Sequence, residues 1–181
     1  MDTVKHICIS EKNTSATTKN TKPPPKKRMV TTSKKWDFQT ADLSLEYQIE
    51  LLEKCFSTVE KNTDPRCVFL EQLIHSKWYG YKTQDHEKQL FDPELFVTDR
   101  NISDLLVHSR LHCFYCQKPI QLFYEYVRES SQWTLERIDN SMGHNRDNVV
   151  IACLGCNISR KTMYYERFIM TKQMTITKID K

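Results

Sequence analysis

Residues 113–157 open on Cys113-Phe-Tyr-Cys116, carry QWTLERIDNSMGHNRDNVVIA over residues 132–152, and close on Cys153-Leu-Gly-Cys156-Asn157. Each Cys-x-x-Cys turn presents two sulfurs, whereas a tetrahedral thiolate site needs four, so neither knuckle is complete alone. The paired spacing predicts a structural zinc site built from Cys113, Cys116, Cys153 and Cys156. A closed site of that kind staples the segment between the knuckles and takes no part in chemistry.

Working outward, residues 120–127 are aromatic and β-branched, residues 132–138 partly alternate, and Glu129-Ser-Ser131 suits a turn between them. That pattern predicts a β-hairpin over 120–138. Residues 140–148 are polar and contain Gly143, which predicts a loop. A helix is expected from Cys153 through Lys161, and another over 164–173 with Phe168 and Ile169 facing inward. Upstream, Leu45, Ile49, Leu52, Phe56 and Val59 recur at steps of three and four, and Asp64-Pro65 ends that helix and opens the next. Val68, Leu70, Leu73, Ile74 and Trp78 fit the second helix, expected to stop near Gly80. Residues 81–100 look irregular, with Pro93 as a breaker, before a short helix around 102–108. These helices carry no chemistry that the sequence marks. Residues 36–108 therefore read as a support layer or docking surface, with helices 42–79 able to meet a protein partner.

The amino-terminal region differs in kind. Residues 1–35 hold nine Lys/Arg against Asp2 and Glu11, a net of +7, which leaves −3 for the other 146 residues. The region is also poor in apolar side chains, so disorder is expected. Within it, Lys22-Pro-Pro-Pro-Lys-Lys-Arg28 reads either as a nuclear-import signal or as a solvated arm that strengthens nucleic-acid binding by counterion release. Residues 1–10 lack an apolar run, and nothing later approaches the ~20 apolar residues of a membrane span. No membrane association is expected, and the location is read as intracellular, nuclear or cytoplasmic. Thiols stay reduced there, so seven cysteines suggest metal ligands plus spares. Cys8, Cys55 and Cys67 have no partner spacing and are expected to be small inert residues.

Trp133-x-Leu-Glu-Arg-Ile-Asp-Asn140, Gly143-His144, Asn148 and Cys153-x-x-Cys-Asn157, with Arg160 just beyond, resemble the HNH endonucleases in their zinc-stapled form. The resemblance covers roughly residues 110–170. It implies a C-terminal ββα-metal module (109–181) around a four-cysteine zinc site, which together with the disordered basic tail (1–35) and the helical region (36–108) makes an α+β protein. The implied activity is metal-dependent hydrolysis of phosphodiester bonds in DNA, with RNA as the other candidate substrate. In such a site one divalent cation neutralises charge on the scissile phosphate and the leaving 3′ oxygen, while a base deprotonates water. Hard ligands suit Mg²⁺ or Mn²⁺ and thiolates suit zinc, so two different metals are implied.

Position by position, the resemblance places Glu136 on the acidic metal ligand, Arg137 on the usual histidine, Asn148 on the loop-bracing asparagine and Asn157 on the helix ligand. A guanidinium stays protonated, so Arg137 cannot be a general base, although it can bind the phosphate. His144 is the expected base and Asp139 a further cation ligand, with Asp139 as the alternative base. Arg137, Arg160 and Lys161 are the expected phosphate contacts. Plainer readings stand beside these: His144 as an exposed loop residue, Asn157 as a helix cap, Arg160 and Lys161 as a solvated helix face, Trp133 and Leu135 as core. The same sequence also fits a nuclease-derived zinc module that binds nucleic acid without cutting it, or a subunit docked on a larger nucleic-acid machine.

Overall fold

In the computed structural model the described residues are 28, 39–56 and 64–174. The basic tail apart from Arg28, together with Cys8, Val59 and residues 175–181, lies outside them, and with it the expectations of disorder and nuclear import. The architecture over the described residues is mixed α+β. Its helices are α1 (Leu45–Phe56), α2 (Pro65–Glu87), α3 (Asp99–Ser109), α4 (Leu154–Arg160) and α5 (Tyr165–Gln173), with strands β1 (Trp133–Arg137) and β2 (Val149–Cys153) between α3 and α4. No helix among the described residues is long and apolar enough to cross a membrane.

The line of α1 that goes deepest is Gln48, Leu51, Leu52 and Cys55, rotated slightly from the aliphatic stripe in the sequence. Gln48 tolerates burial because both ends of its amide are satisfied. Its Nε2 donates to the Leu43 carbonyl (2.9 Å) and its Oε1 accepts the Leu122 N–H (2.7 Å). That second bond ties the first helix to the segment after the first cysteine knuckle. Helix α2 starts where Asp64 accepts the Arg66 N–H (2.9 Å) and Pro65 takes the first helical position. Cys55 and Cys67 form a disulfide across the α1–α2 junction, with Cα atoms 5.3 Å apart. They are therefore not the inert spares expected from spacing: two helix ends that meet in space bring them together.

Gly80 does not end α2. A glycine costs a helix roughly 1 kcal/mol relative to alanine, and the following turns are anchored strongly enough to absorb that. Tyr81 accepts the Leu135 N–H on its hydroxyl (2.9 Å), and Asp85 is fully buried in a pair with His144. The irregular stretch accordingly begins after Glu87. It ends at Thr98, whose hydroxyl caps α3 by accepting the Asn101 N–H (3.1 Å).

The β-hairpin is also displaced from its expected position. Residues 120–132 make only an isolated bridge, Gln121 with Gln132. The Leu122 N–H goes to the Gln48 side chain, and those of Ile120 and Val127 go to the carbonyls of Leu111 and Arg28, so no ladder forms over this run. The sheet is instead β1 paired antiparallel with β2, in register Trp133 with Cys153, Leu135 with Ile151, and Arg137 with Val149. The polar run 138–148 is its connection. Helix α4 begins as soon as β2 ends. One buried apolar cluster extends from Leu52 through Leu70, Ile74, Ile102 and Leu106 to Trp133, Leu135 and Phe168.

Candidate functional site

The two ends of the hairpin carry two different sites. At the Cys153 end, the sulfurs of Cys113, Cys116, Cys153 and Cys156 all lie within 4.8 Å of one another, and the Cys116 and Cys153 sulfurs are 4.0 Å apart. Tetrahedral Zn–S bonds of ~2.3 Å put sulfurs about 3.8 Å apart, so the donor set and its spacing fit a metal ion such as zinc. Cys153 is the last residue of β2 and also the N-cap of α4, its sulfur accepting the Cys156 N–H (3.3 Å). The clustered sulfurs also perturb one another. The Cys153 thiol, donating to Cys113, holds the Cys113 thiol down at about 4, while burial pushes Cys156 up to about 12.

The other end opens on a cleft of about 740 Å³ between the β1 end, the 140–144 loop, α4 and the second half of α2. Glu136 lines it and forms a buried pair with Arg160 behind it, with Nε donating to Oε1 at 2.6 Å and the residues 7% and 2% exposed. Arg160 also donates to the carbonyls of Arg137 (2.5 Å) and Met163 (2.8 Å) and to Asn140 Oδ1 (2.9 Å). It is thus an internal knot between α4 and the β1 end, and not the surface phosphate contact expected from its neighbour Lys161. Burial pushes the Glu136 carboxyl upward, and the Arg160 guanidinium opposes that rise.

His144 is 4% exposed, which disposes of the exposed-loop reading. Both oxygens of the buried Asp85 carboxylate grip it: Oδ2 accepts its backbone N–H (2.6 Å) and Oδ1 meets Nδ1 (2.8 Å). The Tyr81 ring packs against the imidazole with centroids 4.6 Å apart. Gly143 permits this approach, because a Cβ there would run into the Leu90 carbonyl and lie 2.7 Å from Asp85 Oδ2. Burial holds the imidazole below the ordinary histidine value, with Asp85 pulling the other way, so it is neutral at pH 7. Asn148 joins the two sides of the loop. Its Oδ1 accepts the Asp139 N–H (2.8 Å) and its Nδ2 donates to the carbonyls of Asp139 (2.9 Å) and Gly143 (3.0 Å).

Glu136, Arg137, His144, Asn157 and Lys161 all line the cleft. Asn157 donates to Thr134 Oγ1 (3.2 Å), two positions before Glu136 on the same face of β1. Arg137 donates to the Asn140 (3.4 Å) and Met142 (3.0 Å) carbonyls. Asp139 is not brought to the cleft. It is exposed, and its Oδ1 accepts both the N–H (2.8 Å) and the hydroxyl (2.7 Å) of Ser141, which hold its carboxyl below the usual range.

Asp85 and the α2 wall are not marked by the sequence pattern. Lys77, Tyr81, Gln84 and Lys88 line the cleft and recur at steps of four, three and four. That is the same helical period as the apolar stripes, and stopping the helix at Gly80 hides it. Lys77 Nζ donates to the Trp133 carbonyl and sits 4.3 Å from the Trp133 ring centroid. Burial lowers its pKa to about 7. A separate cavity of about 550 Å³ between α2 and α3, containing the His75–Asp99 pair, shares no lining residue with the cleft. Compared with family models, curated proteins and solved structures, the chain matches none.

Proposed function

We propose that the protein is an HNH-type endonuclease that hydrolyses phosphodiester bonds in DNA, with the succession β1, β2, α4 as its ββα unit. The observation that carries this reading is a buried histidine gripped by a buried carboxylate, opening on a cleft with cationic walls. Among the described residues lining that cleft, Lys88, Arg137 and Lys161 are cations, the buried Lys77 is charged only in part near neutrality, and Glu136 is the one acid. Such a balance attracts a polyanion even though the folded part as a whole is not basic.

The chain's own groups divide the work. His144 Nδ1–H donates to Asp85, which leaves Nε2 as an acceptor for a proton from the attacking water. Because the imidazole is held neutral, it is ready to accept at pH 7. Arg137 stays cationic and stabilises charge on the phosphate. Glu136 Oε2 and the Asn157 amide oxygen would hold a divalent cation. One carboxylate plus an amide, completed by water and phosphate oxygens, is a lean set of the kind Mg²⁺ accepts. When bound, such an ion supplies charge neutralisation at the scissile phosphate and the leaving oxygen. Asp139 has no part in this scheme.

A nucleic-acid-binding module without cleavage is the second reading, favoured by one observation: Arg160 already neutralises Glu136. Plasmid nicking with Mg²⁺ or Mn²⁺ separates the two. Cleavage that Glu136→Ala, His144→Ala and Asn157→Ala abolish, with zinc retained, supports the enzyme. DNA binding by wild type with no cleavage supports the module.

A further inference from the structure

Gly80 has no packing explanation. It lies inside the 23-residue α2, where glycine weakens a helix, yet a Cβ built on it would meet nothing within 4 Å. Among the described residues no close approach of another segment excludes a side chain, and its φ is not positive. Gly80 does line the cleft, on the helix face that carries Lys77, Tyr81, Gln84 and Lys88. Tyr81 and Lys77 hydrogen-bond the outer edge of β1, at the Leu135 N–H and the Trp133 carbonyl, and so fix this face against the hairpin. The missing side chain leaves a bare patch of helix between two lysines. Lys77 and Lys88 are separated by about 16 Å at a 1.5 Å rise per residue, a span of several phosphates along one strand.

We infer that this face of α2 is a substrate-binding wall, along which a DNA phosphodiester chain passes over Gly80 between Lys77 and Lys88. The inference rests on the nucleic-acid reading of the cleft and adds a binding surface that the hairpin and α4 do not supply. It changes the role of α2 from scaffold to reader of the DNA backbone. Backbone contacts of this kind set register and affinity and carry no base sequence.

The test is anisotropy of a fluorescein-labelled DNA duplex on the full chain, zinc retained and no Mg²⁺ added, across a salt series. Gly80→Gln fills the space without charge, and Gly80→Glu adds repulsion. Tyr79→Glu is the matched control, because Tyr79 is the adjacent residue, 64% exposed and outside the cleft lining. Expected are weakening by roughly tenfold for Gly80→Glu, equivalent to about 1.4 kcal/mol, a smaller loss for Gly80→Gln, and little change for Tyr79→Glu. Gly80→Ala should melt no lower, since alanine is the better helix former, and lose less affinity than Gly80→Gln. Lys88→Ala should reduce the slope of log K on log salt by about one. If Gly80→Glu binds no more weakly than Tyr79→Glu, the wall is overturned while the nuclease reading stands. If wild type binds no DNA at all, both fall together.

Discussion

The two ends of the β1–β2 hairpin are secured by opposite chemistry. At the Cys153 end, four sulfurs from two short turns converge, and each turn is complete within four residues of sequence. At the Arg137 end the fixtures are polar and long-range: Arg160 reaches back to Glu136 from 24 positions away, and Asp85 holds His144 across 59. The first end can be recognised from spacing alone. The second exists only once the helices are packed, because a carboxylate and an imidazole that far apart carry no mutual signal in the chain. Stapling chemistry is local here, and the candidate chemistry of the cleft is not.

The sharpest way to break this contrast is to remove the staple. Cys116→Ser, or a strong chelator, should unfold the C-terminal region if a metal occupies the sulfurs, since such a site can contribute on the order of 10 kcal/mol. Circular dichroism with zinc content by mass spectrometry checks it, and a well-folded protein free of metal would contradict it. Next in size is the polar knot. Arg160→Met strands a buried carboxylate and should cost about 3–5 kcal/mol in denaturant unfolding. Adding Glu136→Gln to that variant should restore part of the loss, and an unchanged midpoint in Arg160→Met would mean that the pair contributes nothing.

Third comes the histidine. His144→Ala should slow plasmid nicking by about 10²–10⁴-fold, and Asp85→Asn should slow it as well, because the amide can donate to Nδ1 and reverse the tautomer. The pH profile carries its own sign. A histidine held below the ordinary 6.5 keeps its neutral form to lower pH, so the acid limb of the activity profile should have its midpoint below 6.5. Activity that instead rose steeply above pH 7 would assign the base elsewhere. The smallest effect is expected at Asp139: Asp139→Asn should leave nicking unchanged, and a large loss there would return it to the cation site.

Much of the fold is legible in the chain. The α1 segment follows from apolar periodicity, α3, α4 and α5 fall where the chain reads as helical, and Trp133 and Leu135 are core as their aromatic and aliphatic character suggests. Two failures have physical causes. The run over 120–127 has strand composition, but its backbone donors go to scattered partners: Leu122 to the buried Gln48 side chain of α1, Ile120 to Leu111 and Val127 to Arg28. The run Val149–Cys153, short and β-branched, is the true partner of β1 and is masked by its position between a loop and a knuckle. Reading Gly80 as a stop is the costliest error, because it cuts α2 before Tyr81, Gln84, Asp85 and Lys88 and so conceals a wall of the cleft. Arg160 is misplaced on the surface for a similar reason: a guanidinium goes inside only when acceptors surround it, and these come from two separate stretches of chain, residues 136–140 and Met163.

Cys153 ends a strand, caps a helix and offers its sulfur to the cluster, all at one residue. The seven-residue α4 is far too short to persist by itself in water. Loading the thiolates and winding that helix should consequently be one event, and a protein stripped at its sulfurs would lose the placement of Asn157 and Arg160 without either being touched. The trace metal would then govern a reaction in which it never meets the substrate.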